Sequence, residues 1–285
     1  NTANIMKTNT KFILATIISK ILKFLGFKKR QLVKRNSINW NLDLSEGIDL
    51  SIYLFGSFQG KIIESIVSAI FKYDIKNNNF FYIIDIGSNI GDKSLSLSKK
   101  LIDKKINNFK IFSIEPTDFA FKKQSINLNL NPKLKKKISI SKLFISNTKN
   151  RKKSTYSSWK LDYDLKNHKV HRGVAKKINT DTKTMSLDKF IKKNRIKNNI
   201  ILKIDVDGFE LKVLKSCADS LRKYSPIIFM EYAPYALKEH GGSVDEFNKF
   251  IKQYDYKVFD LDFKRLHQIK INEGTSRDVI LIKGK

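Results

Sequence analysis

IIDIGSNIGDKSLSLSKK, residues Ile83 to Lys100, begins as an apolar strand, passes through Gly87 and Gly91, and continues with helical spacing. A strand, a glycine turn and a helix in that order open the cofactor-binding part of many α/β domains. The glycines are four apart, so the turn is neither a dinucleotide G-x-G-x-x-G nor a phosphate loop, which needs Gly-Lys-Ser/Thr at its end. Gly87 relieves a sharp turn and lets backbone approach a ligand closely. Gly91 allows tight packing of helix on strand. Ser88 and Asn89 complete the turn. Asp85, at the strand end, argues against a pyrophosphate and suits an ammonium group.

Outward from this stretch, FFYIIDIG is apolar without alternation, as buried parallel strands are. Downstream the pattern predicts a helix over 93–103, a strand KIFSIEP, a helix over 118–130 and a strand KISISKLFIS. Then come a helix over 186–193, a strand IILKIDVDG, a helix over 210–221, a strand PIIFMEY, a helix over 244–253, and the closing strands YKVFDLD and DVILIKG. Upstream, IDLSIYLFG reads as a short strand or turn and 59–73 as a helix. Residues 147–184 show no clear periodicity, and Tyr156 and Trp159 within them could stack on a base or a sugar ring, or equally pack within a lid. Strands alternating with helices imply a mostly parallel central sheet with helices on both faces. No repeat or low-complexity linker divides the chain. One catalytic domain, 46–285, is expected behind a basic extension, 1–45.

The second strand ends in Glu115-Pro116. An acid at that tip can accept hydrogen bonds from both hydroxyls of a ribose. A ribose, an amino-acid ammonium near Asp85 and no phosphate together describe S-adenosylmethionine. Ser146, after the third strand, could touch its adenine. Ordinary turn glycines and a solvated Glu115 are the plain alternative for either motif alone.

The chain has 285 residues, with 56 Lys+Arg against 27 Asp+Glu and a net charge of +29. Such a field favours anionic partners. The lysines are scattered among Asn and Ile, as a genomic bias would scatter them, and this speaks against a nucleic-acid patch. The single cysteine, Cys217, falls inside an expected helix, fits a reducing compartment and excludes an intrachain disulfide. His168 and His171 lack the companions of a zinc site. The five residues before Met6 read as upstream translated sequence. KFILATIISKILKFLGFKKR (Lys11–Arg30) is interrupted by Lys20 and Lys23, whereas a spanning helix needs roughly 20 clean apolar residues and a signal peptide an unbroken core. Ile13, Ile17, Ile21, Phe24 and Leu25 recur at helical spacing. They predict an amphipathic helix that packs on its own domain or a second copy, or lies on an anionic membrane. A cytoplasmic protein with a peripheral place at the inner membrane face is the corresponding expectation.

IIDIGSNIG, IEPTDFAFKKQSINLNLN, TMSLDKFI, ILKIDVDGFELKVLKS and SPIIFMEY, in that order, resemble the successive motifs of the FkbM family of S-adenosylmethionine-dependent methyltransferases. The likeness runs from about Leu54 to the C-terminus. It implies a Rossmann-like class I methyltransferase fold with an antiparallel final strand, and methylation of hydroxyls, often on sugars or secondary metabolites. Two positions depart from the pattern. Asp207 stands where the family usually has Glu, and Gln59 stands where an upstream Glu is common.

Transfer of a methyl to an alcohol needs the acceptor oxygen in line and a group to take its proton. Asp85, Gly87, Ser88, Asn89, Gly91, Glu115, Pro116, Ser146 and Asp205 are the expected cofactor residues. Asp205 and Glu231, at strand ends, are candidates to activate or orient the acceptor. Asp205 and Asp207 could instead cap the following helix. Lys203, flanked by Leu202 and Ile204, is costly to bury unless paired with Glu231 or Asp205; the resemblance places a lysine there, with a structural or substrate-facing role. His240 is a candidate base or a solvated loop histidine. A divalent metal is left open. The acceptor is a small molecule or glycan; a nucleic-acid substrate and a scaffold that has lost the chemistry are the competing readings.

Overall fold

A computed structural model describes residues 8–75, 77, 80–147, 154–156, 161, 175–177, 182–269, 271 and 275–284. In chain order the elements begin with α1 (Thr8–Phe24), β1 (Arg30–Arg35), β2 (Ile38–Asp43), α2 (Gly47–Phe55), α3 (Gly60–Lys72), β3 (Phe81–Ile86), α4 (Asp92–Asp103) and β4 (Phe109–Ile114). They continue with α5 (Asp118–Asn129), α6 (Pro132–Lys135), β5 (Ile138–Ser141), β6 (Phe144–Ile145), β7 (Ser154–Tyr156), β8 (Ala175–Lys177), β9 (Thr184–Met185) and α7 (Leu187–Lys193). The remainder are β10 (Ile200–Ile204), α8 (Glu210–Lys215), α9 (Ala218–Tyr224), β11 (Ile227–Tyr232), α10 (Pro234–Glu239), α11 (Val244–Gln253), β12 (Tyr256–Phe259) and β13 (Arg277–Lys283).

Contacts group the chain into two compact units, one of residues up to Phe58 with Ser154–Lys177, the other of Gln59–Lys153 with Ile178 onward. The sequence reading drew its boundary after residue 45. In the first unit β1 and β2 form an antiparallel hairpin closed by Asn36 and Ser37, both at positive φ. Two left-handed residues match the twist of such a hairpin. Ile38, Trp40 and Leu42 alternate inward, a period of two, so the basic extension carries a hairpin as well as a helix. IDLSIYLF is also a helix, α2, where a strand or turn was expected. It ends where Gly56, at φ 78°, donates its N–H to the Ile52 carbonyl at 2.8 Å. A left-handed glycine terminates helices in this way, and an apolar run this short carries no period that decides its type. Tyr156 lies in a described strand, and Trp159, His168 and His171 lie outside the described residues.

The second unit holds a seven-stranded sheet in the order β12-β13-β11-β10-β3-β4-β5. β11 through β5 are parallel, and β13 runs antiparallel between β11 and β12. This is the mostly parallel sheet with an antiparallel final strand that the sequence predicts. Ile84, Ile86, Leu202, Ile204, Ile228, Met230, Val279 and Leu281 face one core built with α7, α8, α9 and α11. Helices α4 and α5 reach the opposite face through Ser94 and Gln124.

Two expected elements are divided. KISISKLFIS splits into β5 and β6, and β6 leaves the sheet to pair with β9. The helix over 210–221 breaks at Ser216-Cys217 into α8 and α9; the Ser216 hydroxyl bonds the Val213 carbonyl at 2.7 Å and so competes with the helix. Cys217 therefore sits at a helix junction and not within a helix. It is fully buried, and burial pushes its thiol well above the ordinary range. The folded chain should leave this thiol unmodified by Ellman's reagent until denaturant is added; prompt reaction of the native protein would contradict the packing.

Candidate functional site

Strand pleating sends alternate residues to opposite faces. Opposite the α7–α9 core, register aligns Ser113 with Asp85 and Asp85 with Lys203; one pleat further, Glu231 stands across from Asp278. A polar stripe thus crosses the sheet near the carboxyl ends of its parallel strands. In open α/β sheets this is where ligands bind.

Lys203 is the centre of the stripe. It is buried, 3.2 Å from Asp85 and 3.4 Å from Asp205, and it donates to the Gly87 carbonyl at 3.2 Å. Burial alone would drive it toward neutrality; the Asp85, Asp205 and Asp92 carboxylates outweigh that and hold its pKa above the ordinary lysine value. Asp85 is completely buried and also accepts from the Ser94 hydroxyl at 2.7 Å. Ser94 continues to Ser113 at 2.9 Å, and Gln124 binds both Ser113 and Ser88. The ammonium group facing Asp85 is therefore Lys203's own. Of the two partners foreseen for Lys203, Asp205 is present, and Asp85 takes the place of Glu231.

The glycine turn is wedged between strands. Gly87 and Ser88 both donate to the Ile114 carbonyl, at 3.0 and 3.1 Å. A Cβ on Gly87, at φ 78°, would lie 1.8 Å from the Asp205 carbonyl oxygen. The close approach is to the chain's own backbone. Gly91, at φ 85°, makes room for Gln124 and Leu128 of α5, a contact between helices where helix-on-strand packing was expected.

Glu115 closes the turn from the next strand. Its carboxylate accepts from the Asn89 N–H at 2.9 Å, and from the Thr117 N–H and hydroxyl at 2.9 and 2.6 Å. A carboxylate has about four acceptor positions, so one remains. Burial raises its pKa, opposed by those hydrogen bonds. Asn89 Oδ1 is a buried acceptor without a hydrogen bond among the described residues. The Pro116 carbonyl accepts from Thr182 at 3.2 Å, and buried Ser146 donates its N–H to Met185 at 3.0 Å.

Beyond Lys203 the acids gather. Asp205 keeps 29% of its side chain exposed. Burial, then the charges of Asp205, Glu210 and Glu115, push Asp207 up to about 8. Burial pushes Glu210 up to about 7, against N–H donors from Val206 and Gly208. Glu231 is raised well above its ordinary value by burial and by Asp205, and accepts from Ser276 at 2.5 Å. Asp278 is pushed up to about 6 by burial and Asp205. Among the described residues no group of three or more His, Cys, Asp and Glu could hold a metal ion.

The sequence profile of the methyltransferase FkbM domain matches residues 85–258. The chain belongs to the FkbM methyltransferase family. Its sheet is the Rossmann-like arrangement of class I methyltransferases. Among solved structures, the FkbM methyltransferase of Methylobacillus flagellatus KT is 15% identical at a TM-score of 0.43; the match covers 71% of this chain and 43% of that one. This chain thus spans less than half the length of that relative. An S-adenosylmethionine-dependent O-methyltransferase of Thermotoga maritima is 13% identical at a TM-score of 0.43, covering 92% of this chain and 80% of its own. The magnesium protoporphyrin IX methyltransferase of Synechocystis PCC 6803, with bound S-adenosylhomocysteine, is 8% identical at 0.39, covering 78% and 82%. No curated protein matches the chain.

Within this FkbM domain, Asp85, Lys203 and Asp205 meet directly, as do Asn89 and Glu115. His240 closes α10. Its ring stacks on Phe209 with centroids 3.8 Å apart, beside a hollow lined by Leu211, Lys212 and Leu237, so it is a packed histidine and not a solvated one. Helix α8 is capped by neither Asp205 nor Asp207; Glu210 folds back onto the preceding N–H groups instead. Gln59 is exposed ahead of α3. Asp278 escaped the sequence reading. Its strand runs antiparallel, so the first residues of that strand reach the carboxyl ends of the parallel ones, and an acid at a strand start was the available signal. The buried Asp92–Lys93 ion pair, at 2.6 Å, was also missed.

Removing one partner of a buried ion pair typically costs about 3–5 kcal/mol, whereas removing both costs less. Lys203→Met should lower the unfolding free energy by about that amount in urea titrations, and Asp85→Asn/Lys203→Met should recover part of it. A single-variant loss under about 1 kcal/mol would contradict the central role of this lysine.

Asp207, protonated in the folded chain up to about pH 8, is already ionised in the unfolded chain above the ordinary aspartate value. Its contribution to stability is therefore greatest at low pH and is lost as pH rises through the folded value. Asn suits its left-handed backbone, φ 50°. Asp207→Asn should raise the melting temperature by more at pH 8 than at pH 5; an equal or smaller gain at pH 8 would refute the shift.

Proposed function

We propose that this FkbM domain is an S-adenosylmethionine-dependent O-methyltransferase acting on a hydroxyl of a saccharide, glycolipid or secondary metabolite. The observation that carries the proposal is the gathering of carboxylates at the ends of the adjacent strands β10, β11 and β13, where burial and their mutual charge raise their proton affinity. The acceptor atoms suit the cofactor. Asn89 Oδ1 and the remaining position on Glu115 can accept from ribose hydroxyls, and Asp205, partly exposed, can take an ammonium group. When bound, S-adenosylmethionine supplies a methyl group activated on sulfonium sulfur.

The chain's own part is to position the acceptor and receive its proton. Glu231 and Asp278 share one pleat and have raised proton affinity. A carboxylate whose pKa is brought toward neutrality is a better general base than an ordinary one. The raised pKa values also set a pH requirement, since the accepting carboxylate must first lose its proton.

Calorimetry with S-adenosylhomocysteine tests the cofactor half. The folded wild type should bind, and Asn89→Gly, which tolerates φ 48°, should bind at least tenfold more weakly, about 1.4 kcal/mol. Screening sugar and glycolipid acceptors by mass spectrometry tests the rest: Glu231→Gln should lose methyl transfer and keep S-adenosylhomocysteine binding. A folded wild type that binds no S-adenosylhomocysteine would sink the proposal.

A further inference from the structure

Helix α1 carries two apolar stripes. One comprises Ala15, Ile18 and Leu22, which pack with Tyr53 against Leu44, Leu50 and Leu161 in the first unit. The Ser19 hydroxyl on this side donates to the Leu44 carbonyl at 2.8 Å. At 100° per residue the other stripe falls on Ile13, Ile17, Ile21 and Phe24. These are the residues whose spacing marks the helix as amphipathic in the sequence, and they are the ones left outside. Ile13, Ile17 and Ile21 are each about half exposed and Phe24 is 90% exposed, with Leu25 and Phe27 also exposed just beyond the helix. Scattered apolar residues on a surface need no explanation, whereas a run of this kind marks an interaction site.

We infer that the outer face of α1 docks on an anionic lipid bilayer. Charge selects this occupant. Residues 1–42 hold nine Lys and Arg and no Asp or Glu; all 27 acids of the chain lie at Asp43 or later. A compositional bias toward lysine would not clear acids from one segment. Lys20 and Lys23 flank the exposed stripe, and Lys28, Lys29 and Arg30 follow it, all exposed. An apolar stripe bordered by basic residues lies in the headgroup plane of anionic membranes, with lysine stems reaching past the apolar groups. No single helix among the described residues is long and apolar enough to cross a membrane. The first turn of β1 continues the pattern, with Leu32 exposed between Arg30 and Lys34.

Flotation of the full chain with vesicles tests the inference. The chain should float with phosphatidylcholine–phosphatidylglycerol vesicles and not with phosphatidylcholine alone, and added salt should weaken the association. Ile17→Asp/Ile21→Asp, at exposed positions, should abolish flotation with an unchanged melting temperature, and Lys20→Glu/Lys23→Glu should reduce it. Absence of flotation at low salt would overturn the inference. So would full flotation of Ile17→Asp/Ile21→Asp, which would assign binding to the bulk charge. A dimer in sedimentation velocity that this variant abolishes, without flotation of the wild type, would make a second copy the occupant.

Discussion

The ammonium group of Lys203 is held inside the sheet, where desolvation costs an ion several kcal/mol unless opposite charge and hydrogen bonds surround it. That requirement fixes much of its neighbourhood. Asp85 must be ionised and equally buried, and the parallel register of β3 and β10 puts it directly across. The Gly87 carbonyl must turn toward the lysine, which brings its Cα against the Asp205 backbone, where no side chain fits. Ser94 must then satisfy the second Asp85 oxygen, and this ties the start of α4 to the same centre. The glycine turn is thus shaped first by an internal ion pair. Its shape in turn directs the Asn89 N–H at Glu115 and leaves the Asn89 side-chain oxygen without a hydrogen bond among the described residues.

Lys203 lies within ion-pair distance of two carboxylates, Asp85 and Asp205. The acids farther along the stripe have no buried cation of their own within ion-pair distance among the described residues; Lys93 and Lys203 act on Asp278 only as weaker opposing charges. Burial and mutual repulsion then raise their proton affinities, as they do wherever like charges share a site. Glu231 and Asp278 stand directly opposite in an antiparallel pair, an arrangement that costs stability. Strained electrostatics of this sort concentrate at functional sites. One end of the stripe is charge-balanced, and the other gathers carboxylates of raised proton affinity.

The sheet was legible because parallel strands buried on both faces are apolar almost throughout, and β3, β10 and β11 stand out as such runs between helical patterns. Elements whose identity depends on a single local contact were not legible. The break between α8 and α9 depends on the Ser216 hydroxyl, and the end of α2 on a left-handed Gly56. β6 leaves the sheet because β9, about forty residues away, offers it a partner. At the candidate site the sequence marks acids but not their partners. Strand ends identified the acids, but pairing follows register between strands distant in sequence, and the sequence does not print register. Asp85 therefore looked like a ligand for a cofactor ammonium until Lys203 was seen across from it.

Charge is distributed on two scales, and the two address different partners. The net charge of +29 sets a long-range field favourable to anions. Within a Debye length, about 8 Å at physiological salt, local groups decide instead. The strand ends of the FkbM domain gather carboxylates of raised proton affinity. Residues 1–42, free of acids and bearing an exposed apolar stripe, present to an anion the cations and the adhesive surface together.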